Sequence, residues 1–429
     1  MIFGYVGLLL ILFAGAVPVA FALAGTSIAV TLMERGFDFN PAFMVQKAVS
    51  GIDNFMLLSV PFFIYAGKIM NVGGITVRIY AFAKSLVGSM RGGLAQVNVV
   101  ASIIFAGMTG TAVSEAAGLG TVVMKSMKEE GYEDDFAVAV VAASSTIGPI
   151  IPPSVPLVIF ALMANVSVGS MLIAGLVPGL LMGAALMAWI AVLARRKNLP
   201  RGAPFSVALL LSTLREGFLP LMTPVLLIGG IVSGAFTPTE AAAIAALYAT
   251  FLAMVVYREV GIPELMEIIR STMVDTGVVF LIVAMAMIYG YLVTRAGLTL
   301  ALVEWIAGLS RDPVVVGLLL MGFLLIVGCF LEATAAIIIL TPVLVPIMQV
   351  SGLDPLHFGV IVVLIMMIGL LTPPFGMVLF VLNRISGVSL HRIVVAVAPF
   401  LIPLLGVSVL LLLVPSLVTE VPRLIMGPA

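Results

Sequence analysis

Charge is scarce in this sequence: only 9% of its 429 residues are Asp, Glu, Lys or Arg, against roughly 25% in an ordinary soluble domain. Apolar residues make up 62%, and the mean hydropathy is +1.29 along the whole chain. No stretch of about 100 residues is polar enough for a water-soluble domain, which excludes a single anchor carrying a globular head. Twenty basic residues balance twenty acidic ones, so the chain has neither a nucleic-acid-binding excess nor an acidic tail. The one cysteine, Cys329, can form no internal disulfide. The two histidines, His357 and His391, fall in different regions and make no Cys/His metal site. Also lacking is the basic stretch that opens a secretory signal. The chain begins MIFGYVGLLLILFAG and stays apolar past Val30, which predicts a retained helix.

What is present is a series of long uncharged runs. The longest, 136–194, is too long for one crossing of about 20 residues and must hold two. Breaks at Gly, Pro, Asn and charge clusters predict spans near 3–33, 47–70, 136–164, 171–194, 218–235, 238–257, 272–294, 357–384 and 393–417. Two further apolar stretches, 95–124 and 314–348, are interrupted by GMTGTAVSE and GCFLEAT. Small, polar and acidic residues there suit re-entrant hairpins buried in protein better than straight spans facing lipid. With Met1 cytoplasmic, the loops at 71–94, 125–135, 195–217, 258–270 and 385–392 fall inside. Of the twenty Lys and Arg, only Arg35, Lys47, Arg295, Arg311 and Arg423 then lie outside, in keeping with the positive-inside rule. The segments 77–92 and 302–312 carry charges at helical spacing and read as helices lying at each interface, bracing the hairpins.

The halves repeat. A shift of 221 residues superposes GPIIPPSVPLVIF (148–160) on GLLTPPFGMVLFV (369–381), matching Gly148 with Gly369, Pro152 with Pro373 and Pro153 with Pro374. A shift of 217 pairs Glu115 with Glu332, and one of 223 pairs Gly67 with Gly290 and Gly74 with Gly297. In the orientation above 136–164 runs outward and 357–384 inward, so the repeat is inverted about an axis in the membrane plane, a recurrent plan of secondary transporters.

Proline donates no backbone hydrogen bond and clashes with the carbonyl four residues back. Pro149, Pro152 and Pro153 therefore free the carbonyls of Ser145, Gly148 and Pro149, and Pro373 and Pro374 those of Gly369 and Leu370. Unpaired carbonyls at membrane depth cost several kcal/mol each, a cost that a hard cation such as Na⁺ offsets. Ser144, Ser145, Thr146 and Thr372 add hydroxyl oxygens, and the hairpin tips bring Thr111 and others opposite. The first candidate Na⁺ site is Thr109, Gly110, Ser114, Ser145, Gly148, Ile151 and Pro153; the second is Gly328, Glu332, Thr334, Gly369, Thr372 and Phe375. Simple kinks, repaired by neighbouring hydroxyls, would account for one such break; two related by a repeat favour ion sites. Glu115 and Glu332, ionisable within apolar segments, are functional by default and can ligand a cation, carry a proton or cap a half-helix. Both, with Thr146 and Arg295, are candidate substrate contacts, although a snorkelling arginine fits Arg295 equally. Glu240, in FTPTEAAAI, reads as part of a helix start with Thr237 or Thr239 as cap, and Asp53 and Asp275 as interfacial.

FAGMTGTAVSEAAGLGTV (105–122), SSTIGPIIPPSVPLVIF (144–160), GGIVSGAFTPTEAAAIAALYA (229–249) and GLLTPPFGMVLFVL (369–382) resemble the large membrane subunit of tripartite ATP-independent periplasmic (TRAP) transporters, the M or DctM-type permease, across nearly the whole chain. The resemblance implies an all-α polytopic protein of the ion-transporter superfamily in the inner membrane. It implies Na⁺-driven import of an organic acid such as a C4-dicarboxylate or sialic acid by an elevator motion, with Na⁺ as coupling ion and no cofactor. Two partners follow, a small four-helix membrane subunit of Q type and a periplasmic substrate-binding protein of P type, and the chain is similar to the unfused form. The expected division is 1–76 scaffold, 77–165 first hairpin and broken helix, 166–271 scaffold, 272–385 second hairpin and broken helix with its leading helix, and 386–429 scaffold. The alternatives are a stand-alone carrier or cation/proton antiporter of the same superfamily, and an integral membrane enzyme. The last lacks an HExxH motif, a suitable aspartate pair and a Ser/His dyad.

Overall fold

The computed structural model describes residues 2–15, 17–35, 41–109 and 111–427, with 2–5, 34, 35, 107–109 and 307 as backbone only. Among them every regular element is a helix or helical turn, and pairing of strand type is confined to one isolated bridge between Arg91 and Arg201. Eight helical stretches are long and apolar enough to cross a membrane.

The chain opens with α1 (Ile2–Ala14) and α2 (Val19–Arg35). The expected single span over 3–33 is thus two helices: α1 folds back beside α2, bringing Leu12 against Gly25. One helix of that length would exceed a hydrocarbon core of about 30 Å, and Pro18 supplies the break. Next come α3 (Pro41–Ile52), a 3-10 turn (Phe55–Leu58) and α4 (Ser59–Val72). Asn54 caps that turn, accepting from the Met56 N–H at 2.9 Å, so the span expected at 47–70 is broken beside Asp53. Gly74, at φ +67°, starts α5 (Ile75–Val87), the first interfacial helix, which lies against α6 (Gly93–Thr109). The first hairpin is completed by α7 (Ala112–Ala117) and α8 (Leu119–Glu129).

Then α9 (Asp134–Ser145) leads into the first proline break, after which Ser154 caps α10 (Val155–Ala164), accepting from the Leu157 N–H at 3.1 Å. Helices α11 (Val168–Ala174) and α12 (Leu176–Arg196) follow, then α13 (Val207–Val232) and α14 (Pro238–Phe251) with a π turn (Leu252–Val256). Thr237 and Glu240 form a reciprocal capping box at α14, as the sequence predicts. The long α15 (Ile262–Arg295) precedes Gly297, at φ +75°, and α16 (Leu298–Leu309). Both α13 and α15 begin about ten residues before the spans expected at 218 and 272. The second hairpin is α17 (Pro313–Phe330) and α18 (Ala333–Val350). Asp312 and Asp354, each followed by a proline at the first helical position, cap α17 and α19 (Pro355–Gly369). After the second break come α20 (Met377–Ser386), α21 (Leu390–Leu413) and the amphipathic α22 (Ser416–Met426).

Element boundaries recur at a nearly constant offset: 223 residues between the starts of α5 and α16, 221 between α9 and α19 and between Ala112 and Ala333, and 222 between the cap residues Ser167 and Ser389. Packing sorts the helices into two groups. One gathers α2, α3, α4, α14 and α15, with the alanine face Ala241, Ala242, Ala245, Ala246 and Ala249 of α14 turned to α4, a close approach of the kind small residues permit between membrane helices. The other centres on α9 and α19, whose residues 136–145 and 356–369 are buried all round. Around them stand both hairpins, α10, α20, α12 and α21. Helix α12 lies against α6 and α21, and α21 against α9 and α19.

Candidate functional site

The two breaks sit at the ends of the two most buried helices. At the first, 144–161 are buried throughout. Its serine and threonine hydroxyls each turn back on the preceding turn: Ser144 donates to Val141 O at 3.2 Å, Ser145 to Ala142 O at 2.8 Å and Thr146 to Ala143 O at 2.7 Å. The carbonyl of Pro149 accepts the Ser154 hydroxyl. Among the described residues no loop or turn N–H donates to the carbonyls of Ser145 or Gly148, as expected from the prolines. Those two carbonyls and three lone-pair-bearing hydroxyls are a donor set of the hard, oxygen-only kind that suits an alkali or alkaline-earth cation. Ile151 and Pro153 lie buried in the same loop.

The second break differs. Gly369 O accepts from the Thr372 N–H at 2.9 Å and Leu370 O from the Val378 N–H at 3.3 Å, so the carbonyls expected to be free each carry one bond and keep a single lone pair. The Thr372 hydroxyl donates to Ile368 O at 3.0 Å. Pro373, Pro374 and Phe375 are exposed, Phe375 by 55%. In each half the second proline of the pair follows a cis peptide bond.

Each hairpin meets a break. On the second, Gly328 and Gly369 touch backbone to backbone: a Cβ built on Gly369 would stand 2.6 Å from the Gly328 Cα. Phe330 packs on Phe375 with ring centroids 5.5 Å apart. Glu332 is the N-cap of α18, its Oε2 accepting from the Ala335 N–H at 2.9 Å, with Thr334 buried in the first turn. On the first, α7 packs on α9 and α20. Thr111 caps it, accepting from the Ser114 N–H at 3.3 Å, and Ser114 is exposed. Gly110 and the side chain of Thr109 lie outside the described residues.

The caps correct the pairing of the two glutamates. Thr111 and Glu332 are the equivalent N-caps, 221 residues apart, the same offset as the prolines, so the match of Glu115 with Glu332 at 217 is one of residue type alone. Glu115 does not cap. It is 2% exposed, beside Ser102 of α6, and among the described residues neither its two oxygens nor the Ser102 hydroxyl completes a well-aligned hydrogen bond. Of the candidate substrate contacts, Arg295 is exposed at the C-terminal end of α15, Thr146 is wholly buried, and Glu332 caps α18. Asp275 is ion-paired with Lys68 at 2.6 Å, between α15 and α4.

Two polar residues of α6 went unnoticed in the sequence. Asn98 Nδ2 donates to Ser144 Oγ at 2.6 Å and ties the first hairpin to the first break; Ser102 lies one turn on. Their four-residue spacing inside an apolar arm, which puts both on one helix face, was the available signal.

A family model for the tripartite ATP-independent periplasmic transporter, DctM component, matches residues 6–417. The sialic acid TRAP transporter large permease protein SiaM of Vibrio cholerae is 43% identical over 99% of this chain and 98% of its own length. The sialic acid TRAP transporter permease protein SiaT of Haemophilus influenzae is 39% identical over 97% of this chain, which spans 67% of that longer protein. Among solved structures, the YdaH transporter of Alcanivorax borkumensis aligns over 86% of each chain with a TM-score of 0.62 at 14% identity, a likeness of fold.

Proposed function

Since the chain belongs to the DctM component family of tripartite ATP-independent periplasmic transporters, the large permease subunits of the inner membrane, we propose that it imports an organic acid by Na⁺ symport, the hairpin-bearing body moving as an elevator against the remaining helices. It is a secondary transporter of organic acids and works with a small permease subunit and a periplasmic binding protein. The two relatives named for sialic acid favour a sialic-acid-like carboxylate as cargo.

The observation that carries the Na⁺ reading is the pair of proline-broken helices buried at the centre, one with two unclaimed carbonyls and the other closed by a hairpin tip in backbone contact. Na⁺ is a co-transported substrate here. Ser145 and Gly148 serve the first site, and Gly369 and Thr372, with Gly328 pressed against them, the second. The moving body takes in α6 to α12 and α17 to α22. Helices α12 and α21 join it because they pack on α6, α9 and α19. Helices α1 to α4 and α13 to α15 form the scaffold, and α5 and α16 link the two. The repeated element boundaries support an inverted repeat, and the positive-inside count keeps its sense. The fold-back of α1 on α2 removes one crossing, so the N-terminus lies on the outer side, with Arg35.

The test is uptake by proteoliposomes holding this chain and its small subunit. Uptake needs an inward Na⁺ gradient and the binding protein. Unchanged uptake with K⁺ in place of Na⁺ counts against the coupling, and uptake without the soluble protein returns the reading to a stand-alone carrier.

A further inference from the structure

The ends of α9, α12 and α21 on the lysine- and arginine-rich side enclose a cavity of about 380 Å³ that the transport reading does not use. Its rim is charged and its depth is not. Glu133, Asp135, Lys197, His391 and Arg392 stand at the mouth, buried Phe136 and Phe400 line the depth, and the half-buried Pro399 and the exposed Val395 form the apolar wall. The charges are paired across helices: Lys197 donates to Glu133 Oε2 at 2.7 Å, and Arg392 Nε to Asp135 Oδ2 at 2.9 Å. Capacity is left on two groups. Lys197 engages only Oε2 of Glu133, and among the described residues His391 makes no hydrogen bond, whereas both oxygens of Asp135 face Arg392, the buried Oδ1 at 2.9 Å from Nη2. From His391 to Phe400 the groove follows α21 for about 14 Å at 1.5 Å per residue.

We propose that this groove holds one phospholipid of the inner leaflet with a primary-ammonium headgroup, an ethanolamine phospholipid. Its acyl chain lies along Val395, Pro399 and Phe400, and its headgroup sits among the rim charges. A mouth with charge at one end and ten or more ångströms of apolar wall behind it fits an amphiphile rather than a free anion. The rim selects the headgroup. Two fixed cations and two fixed anions sum to zero, matching a zwitterion; the phosphate accepts from Lys197, His391 and Arg392, and the ammonium donates to Glu133 Oε1, which takes no part in the pair with Lys197. A choline headgroup has no N–H for that carboxylate, and a glycerol headgroup has no positive charge. The inference rests on the orientation that puts this rim at the inner interface, but not on Na⁺ coupling. A lipid so held travels with α9 and α21.

Native mass spectrometry of the detergent-purified complex, exposed to ethanolamine, choline and glycerol phospholipids of equal chain length, tests it. One ethanolamine lipid is retained per copy of this chain, about tenfold over the choline lipid, the scale expected from charge-assisted hydrogen bonds. Glu133→Gln abolishes the preference, and Val395→Trp, which fills the groove and spares the rim, abolishes retention. Equal retention of choline lipid, preference for glycerol lipid, displacement by phosphoethanolamine without chains, or unchanged retention in Val395→Trp overturns the proposal. None of these outcomes depends on transport, so failure here leaves the Na⁺ test untouched.

Discussion

Adding one methyl group at Gly369 puts the contact between hairpin and break under direct load. The Cβ of Gly369→Ala would stand 2.6 Å from the Cα of Gly328, 2.7 Å from its carbonyl carbon and 3.1 Å from its oxygen. All three are backbone atoms and cannot rotate away. Restoring an ordinary carbon separation of 3.5–4.0 Å requires the hairpin tip to retreat by about 1 Å. Overpacking of this kind costs about 1–3 kcal/mol. Borne by the conformation in which the tip rests on the break, that lowers its population about 5- to 150-fold. In proteoliposomes the Na⁺ concentration for half-maximal uptake should rise by a factor in that range, while expression and assembly with the small subunit hold. Gly328→Ala should act in the same direction more weakly, since its Cβ meets the Gly369 Cα at 3.0 Å and otherwise the mobile end of Met366 and its carbonyl at 3.4 Å. Gly322→Ala, in the same arm with open space around it, should do nothing. A Gly369→Ala protein with wild-type Na⁺ dependence, or an equal loss in Gly322→Ala, would refute the reasoning.

Three further outcomes follow. Glu332→Ala should cost about 1 kcal/mol as a lost cap, visible as a lower unfolding temperature, and Glu332→Asn should restore it; if Asn restores stability but not Na⁺ dependence, Glu332 is also a ligand. Pro152→Ala supplies an N–H to the unclaimed carbonyl of Gly148, whereas Pro373→Ala offers one to Gly369 O, which Thr372 already holds. Na⁺ titrations should therefore shift more for Pro152→Ala, and an equal shift, or none, contradicts the difference between the breaks. In a Cys329→Ser background, a disulfide between Asn71→Cys and Gly118→Cys, adjacent across α4 and the first hairpin, should arrest transport. One between Gln96→Cys and Met187→Cys, both in the body proposed to move, should spare it; arrest by both would dissolve the division into two bodies.

The sequence carried the apolar stretches and the two proline breaks because both depend on local chemistry. Uncharged runs, prolines and Asx or Ser/Thr caps act within a turn of themselves, and Ser154, Thr237, Asp312 and Asp354 cap where those signals stand. The fold-back at Pro18 was hidden because apolar residues continue on both sides, so composition did not change there. Glu115 and Glu332 were matched by type, while the structure aligns positions by helix start, where Thr111 does the work of Glu332. That α12 and α21 pack in the group of α9 and α19 was not legible for another reason. Their continuous apolar faces give no hint of which neighbour they touch, and the partners α9 and α19 are long-range in sequence.

The unequal burial of the two breaks bears on the order of events in a cycle. Around the first, every residue from 144 to 161 is closed off; at the second, Pro373, Pro374 and Phe375 face outward. On the proposed Na⁺ reading, a cation at the first break would leave only after the protein rearranges, whereas one at the second would be held by the hairpin tip alone. The two would then differ in residence time, and loading and release would be sequential rather than simultaneous.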